Sequence, residues 1–400
     1  MGSGRGGGRQ LIYLTPDISD TSTIKRAAEF IEQGYGVTVV GFRRDRYNGD
    51  YDPTWPHVVL GYTQDGKYAQ RAWALLVALR AIAAKRRCFR QASVIYCRNI
   101  DQLILAVLAC ALFSRDALVA YEILDIQPAQ AGRGPLSIVL RAIERLCLRR
   151  VRVLVVSSPA FMRNYFLPVQ RYRNDWFLLE NKVHPSAASL ERGVPRHRNA
   201  DDPRWVVGYV GLIRGRQTLD LMTRLAARLH ERVLFKFHGV LTTIEPERFA
   251  AALANHPNMI YAGDYVNPRD LGPIYGGIDL AWALDLENVA HNSRWLLPCR
   301  FYEAGLHGVP CLAIRDFEVG RLIDRLGVGW TFAEPLEDAL VRFFETLTEA
   351  ALDEKRRHLL AMPIGNFVAD RDIAALCRLF EKTTADLPET PTGPLVGPAL

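Results

Sequence analysis

The chain has 400 residues, 49% of them apolar and 23% charged, with seven cysteines and a formal net charge of +7. That length carries two cores more readily than one, and the composition excludes a disordered chain. No apolar run reaches the ~18–20 residues of a membrane span, and scattered cysteines, odd in number and without a C-x-x-C pair, argue against a disulfide framework or a zinc site and fit a reducing cytosol.

The charge is uneven. Residues 1–183 hold 26 Lys and Arg against 15 Asp and Glu, whereas the remainder holds 24 against 28. A basic first half beside a mildly acidic second half points to an anionic surface or substrate near the first.

Residues 1–10 read as a flexible leader rich in glycine. A strand over 11–14, a polar loop, a helix over 24–33 ending at Gly34 and a strand over 37–41 form a β-loop-α-β unit. The loop lacks G-x-G-x-x-G, so no dinucleotide fingerprint is present. Asp17, Asp20 and Arg26 surround that first helix. Asp20 reads equally as a helix cap and Arg26 as a solvated base. Residues 67–90 form a basic amphipathic pattern, with Trp73, Leu76, Leu79 and Ile82 toward one side and Arg80, Lys85, Arg86 and Arg87 among the charges. It reads either as a helix lying on anionic headgroups or as a sheet-covering helix whose polar face is rich in arginine.

Strands then alternate with helices up to about residue 183. Ligands of such sheets sit at the carboxyl ends of the strands, which places Arg98, Asp101, Asp125, Ser157 and Ser158 on one rim. Residues 184–204 are polar and punctuated by proline, and read as a linker. A second α/β series over 205–372 follows, then a helix over 373–385. Residues 386–400 contain four prolines and no pattern, and read as a disordered tail.

Three segments of the second series carry chemistry. The turn Gly208-Tyr209-Val210-Gly211-Leu212-Ile213-Arg214-Gly215-Arg216 joins a strand to a helix with glycine and guanidinium, the materials of a phosphate site. Gly263-Asp264-Tyr265-Val266 follows a later strand. The stretch 292–313, NSRWLLPCRFYEAGLHGVPCLA, leads through Pro298 into a helix with Arg300 and Glu303, stops at Gly308, and restarts as a strand after Pro310. A surface i, i+3 ion pair is the plainer account of Arg300 and Glu303.

Taken together and in this order, these segments resemble the nucleotide-sugar glycosyltransferases of the GT-B fold, and in particular the family-4-like transferases of bacterial exopolysaccharide assembly. The resemblance implies an α/β chain of two Rossmann-like, doubly wound parallel-sheet domains facing a cleft, the last helix packing back on the first domain. It implies that Glu303 accepts hydrogen bonds from the donor ribose, and that Gly211, Arg214, Arg216 and Arg300 hold the diphosphate. Tyr265, Asn292 and Ser293 would line the same donor site, with Asp17, Asp20 and Arg98 on the acceptor side. One departure stands out. The glutamate expected eight positions before Glu303 is replaced by Trp295, and the nearest upstream acids are Asp285 and Glu287. An inverting transfer needs a base for the acceptor hydroxyl, and Asp125 at a strand end is the candidate. Glu122 is its competitor, and capping or ion pairing is an equal account of Asp125.

The expectation is a cytoplasmic enzyme, peripheral on the inner face of the plasma membrane. It would move sugar from a UDP-sugar to a polysaccharide or lipid-linked oligosaccharide, without a cofactor, a metal or a nucleic-acid partner. A nucleotide-sugar 2-epimerase of the same fold and a non-catalytic nucleotide- or anion-binding partner protein are the alternatives.

Overall fold

The computed structural model describes residues 9–44, 51–62, 77–185, 192, 202–369 and 371–385. Most of the leader, much of the basic 67–90 segment, most of the 184–204 linker and the 386–400 tail lie outside the described residues.

Two parallel sheets organise the chain. The first contains β1 (Gln10–Thr15), β2 (Gly36–Arg43), β3 (His57–Tyr62), β4 (Ala92–Arg98), β5 (Leu118–Ile123), β6 (Val151–Val156) and β7 (Asp175–Leu178), in the order β3-β2-β1-β4-β5-β6-β7. The second contains β8 (Trp205–Val210), β9 (Val233–His238), β10 (Met259–Tyr261), β11 (Leu280–Trp282), β12 (Cys311–Ile314) and β13 (Gly329–Phe332), in the order β10-β9-β8-β11-β12-β13. Each winds outward in both directions from its first strand. The order therefore reverses between β1 and β4 and again between β8 and β11, and at such reversals the loops part and leave a crevice.

The strands are apolar on both faces because helices cover both. Ile12, Leu14, Ile95, Cys97 and Tyr121 face one layer, with the Ile100–Phe113 helix upon it. Leu11, Tyr13, Val94, Tyr96 and Ala120 face the other, where the Thr21–Glu32 helix lies. The final helix, Asp372–Ala385, buries Leu376, Cys377 and Phe380 in that second layer. The Phe380 ring lies 6.2 Å from Phe30 and 6.3 Å from Tyr96. The chain thus passes between the sheets twice, at neighbouring points. Val183 donates to the Phe367 carbonyl at 2.8 Å, and Ala369 donates back to Val183 at 2.9 Å.

One departure from the expected elements has a simple cause, and the basic segment takes one of its two readings. The edge strand β3 escapes the pattern because Pro56 precedes it and Gly61 interrupts it. The described part of the basic segment covers the sheet, burying Ala78, Ile82 and Phe89 while Lys85, Arg86 and Arg87 stay exposed.

The Pro135–Leu148 helix is turned the unusual way round. Ser137 and Glu144 are buried, and several of its aliphatic side chains are exposed. Glu144 is enclosed by donors: Tyr165 Oη at 2.5 Å, Gln170 Nε2 at 2.5 Å, Gln130 Nε2 at 3.0 Å and Tyr121 Oη at 3.3 Å. Tyr165 and Gln170 are five residues apart on the π-helix Met162–Gln170, whose wider turn sets both on one side. Burial pushes the Glu144 carboxyl up to about 7, against the opposing pull of these donors. The folded chain therefore keeps a proton between pH 4.5 and about 7 that the unfolded chain releases, so stability falls as pH rises through that window. Glu144→Gln, which imitates the protonated carboxyl, should flatten this fall by about 2–3 kcal/mol. Urea unfolding at pH 5 and pH 8 would measure it, and identical pH dependence in both proteins would contradict the assignment.

Candidate functional site

At the second reversal point, β8 delivers Tyr209 and β11 delivers the Trp282 carbonyl. Arg300, in the first turn of the Cys299–Leu306 helix, joins them. Its guanidinium lies 4.3 Å over the Tyr209 ring and donates through Nη1 to the Trp282 oxygen at 3.1 Å. Gly211, at the end of β8, leaves space above it: a Cβ there would meet only Arg300 Nη2, at 3.9 Å. The backbone at Gly211 has φ +109°, which favours glycine. Its neighbour Gly239 is needed for another reason, since a Cβ there would fall 2.0 Å from the Gly211 carbonyl oxygen.

The loop does not present its N–H groups as expected for a phosphate cradle. Those of Gly211, Ile213 and Gly215 are taken by the His238 carbonyl, the Val240 carbonyl and Thr243 Oγ1, at 2.9, 2.9 and 3.0 Å. The positive charge facing the open space is therefore mainly that of arginine. Arg214 donates to Asp285 Oδ2 at 3.0 and 2.5 Å and lies 3.5 Å from Glu287. Burial raises the Asp285 pKa, but Arg214, the Glu287 N–H and Arg300 outweigh it and hold the carboxyl below its usual range. Arg216 points elsewhere, exposed and paired with Glu245, because the helix that begins at this residue turns it outward.

Glu303 follows Arg300 by one turn and is 7% exposed. Tyr275 Oη donates to its Oε2 at 3.0 Å and Asn267 Nδ2 to its Oε1 at 3.1 Å. Burial pushes its pKa up, opposed by the Tyr275 hydrogen bond and the Arg300 charge. Each oxygen keeps a second lone pair for a further donor. Tyr265 is half-buried beside it; burial and the adjacent carboxylate both push the phenol up.

Asn292 and Ser293 are occupied by the protein itself. Asn292 Oδ1 accepts from the Ile126 N–H at 2.8 Å, across to the first domain, and Ser293 Oγ accepts from the Asn288 N–H at 3.0 Å. Nearby, Ser158 Oγ donates to the Trp295 carbonyl at 2.5 Å, and Trp295 and Leu296 pack against the first domain's core. The loop carrying these residues is a strap between domains, which a short polar sequence does not announce.

On the first domain, Asp125 is exposed at the end of β5, beside the Ile126 that Asn292 holds. Surrounding protein pushes its pKa up, opposed by Arg98 from its own domain and Arg214 from the other. Charges from both domains thus meet at this carboxylate. The other acceptor-side candidates are committed to the fold. Asp17 is buried and accepts from the Ser19 N–H and hydroxyl at 3.0 and 2.7 Å. Asp20 caps the first helix through the Ser22 N–H at 2.8 Å. Arg98 is buried against Ser22, Thr23 and Asp20. Glu122 is also excluded from the cleft, being buried and paired with Arg26 at 2.7 and 3.0 Å. Among the described residues, no three His, Cys, Asp or Glu side chains converge to hold a metal ion.

No family model matches the chain. It is 31% identical over 385 residues, 95% of each chain, to the succinoglycan biosynthesis protein ExoL of Rhizobium meliloti (strain 1021). The chain belongs to the family of that succinoglycan biosynthesis protein. Solved structures agree on its GT-B fold. A sucrose-phosphate synthase from Thermosynechococcus elongatus superposes with a TM-score of 0.69 at 13% identity, over 95% of this chain and 100% of that one. Anabaena HepE, in complex with UDP, superposes with a TM-score of 0.68 at 13% identity, over 94% and 100%. At such identities the likeness is one of fold.

Proposed function

We propose that this chain is a glycosyltransferase that takes its sugar from a UDP-sugar and delivers it to a saccharide or lipid-linked oligosaccharide hydroxyl at the cytosolic face of the membrane. The observation that carries the reading is the pairing on one helix of Arg300, anchored on Tyr209 beneath the open Gly211 position, with Glu303 one turn later. A diphosphate placed over Gly211 lies on the Arg300 guanidinium. The ribose of the same nucleotide then reaches Glu303, whose oxygens accept from its hydroxyls. HepE, of the same fold, holds UDP.

As the bond from the sugar to the diphosphate breaks, negative charge grows on the leaving oxygen. Arg300, with Arg214 at the edge of the space, stabilises that charge where it develops. Asp125 faces this point from the other domain and takes the proton of the acceptor hydroxyl. It accepts that proton only while ionised, so the base is lost as pH falls and the carboxyl is protonated.

Two variants test the two halves of this scheme. Glu303→Gln should weaken UDP binding by about 1.5–3 kcal/mol, the range of a charge-assisted hydrogen bond; calorimetry showing unchanged affinity in a folded variant removes the ribose contact. Asp125→Asn should lower turnover roughly 10²–10⁴-fold and abolish the acidic limb of the pH–rate profile. UDP affinity should stay as it was. Near-normal turnover from the folded variant would take Asp125 out of the mechanism.

A further inference from the structure

One face of the first domain is built against the usual sense of burial. The helices Ile100–Phe113 and Pro135–Leu148 pack side by side over the sheet. Outward they show Leu112 at 64%, Leu146 at 63%, Ile138 at 59% and Val139 at 53% exposure, with Leu136 and Leu108 beside them. Scattered single aliphatics on a surface need no explanation, but a contiguous stripe from two adjacent helices does. The Pro135–Leu148 helix could bury this stripe by rotating about its axis. It does not, because Glu144 on its opposite side is held by four donors from three other segments. The buried carboxylate therefore fixes the aliphatic side outward.

The surroundings of the stripe are basic. Lys85, Arg86 and Arg90 stand just before β4, Arg115 just before β5, and Arg149 and Arg150 just before β6, all exposed. The strands are parallel, so these starts share one end of the sheet. That end is remote from the cleft. The Pro135–Leu148 helix runs back from the cleft end to it, and so the stripe links the arginines with the rim that carries Asp125. Among the described residues, no helix is long and apolar enough to cross a membrane.

We propose that this face docks on an anionic phospholipid bilayer. The aliphatic stripe would enter the interface, and the cations at the sheet end would lie on lipid phosphates. Charge complementarity selects this occupant over a second copy of the chain, since two such basic faces repel. The proposal rests on the membrane-face reading above and deepens it. It moves the insertion from the 67–90 segment, whose described part is engaged with the sheet, to the Pro135–Leu148 helix. It also explains how a lipid-linked acceptor is delivered, because the bilayer then lies against the loop beside Asp125.

Vesicle flotation of the full chain tests it. With phosphatidylglycerol-containing vesicles the protein should float, and with pure phosphatidylcholine it should bind at least tenfold less. The triple variant Ile138→Ser, Val139→Ser and Leu146→Ser should lose tenfold or more of the anionic-vesicle binding with its melting temperature kept, since all three side chains are exposed. Val139→Trp should show a blue-shifted fluorescence that brominated lipid quenches. Wild-type protein that ignores anionic vesicles overturns the proposal. So does a triple variant that binds as wild type does, or a Val139→Trp fluorescence that lipid leaves unchanged. A dimer by sedimentation that the triple variant dissociates, without vesicle binding, would assign the face to a second copy instead. UDP calorimetry on the same proteins reads the donor site separately, so its failure and that of the docking face are distinguishable.

Discussion

A guanidinium held between an aromatic ring and a carbonyl is the contact on which the second domain's site depends. Arg300 can lie over Tyr209 and reach the Trp282 oxygen only because β8 and β11 are neighbours. They are neighbours because the chain winds first one way and then the other from β8. The pairing fixes the start of the Cys299–Leu306 helix, and the helix in turn sets Glu303 against Asn267 and Tyr275. A cation–π contact of this kind contributes about 0.5–2 kcal/mol, which is modest. Its larger consequence is orientation, since it leaves the guanidinium edge beneath the open position at Gly211.

The two domains are coupled by few but well-defined contacts. The strap that follows β11 reaches the first domain through Asn292 and the Trp295 carbonyl, while Arg163 pairs with Glu318 at 2.6 Å and Tyr302 donates to Glu180 at 3.0 Å. At the other side, the paired crossings at Val183 and Val368 form a narrow connection. Asp125 sits next to the residue that the strap holds. Its carboxyl is acted on by Arg98 from its own domain and by Arg214 from the other.

Much of this was legible in the residues. Strand–helix alternation and the rim positions gave the two doubly wound sheets, and the helix that starts after Pro298 was readable with Arg300 and Glu303 upon it. What escaped was the direction of side chains whose partners lie far away in sequence. Asp17 looks available until Ser19 closes on it, and Arg216 looks like a phosphate ligand until the helix turns it toward Glu245. Asn292 and Ser293 are polar and near the site, yet they serve the strap. The Pro135–Leu148 helix is the clearest case. Nothing in its sequence tells which side is buried; the four donors around Glu144 decide that its aliphatic side points outward.

The central claim is that one nucleotide spans Arg300 and Glu303. A crystal structure of the chain with UDP tests it most directly. The account predicts diphosphate oxygens about 2.7–3.2 Å from the Arg300 guanidinium and ribose hydroxyls within the same distance of Glu303. UDP bound elsewhere, or bound here with Glu303 still touching only Asn267 and Tyr275, would contradict it.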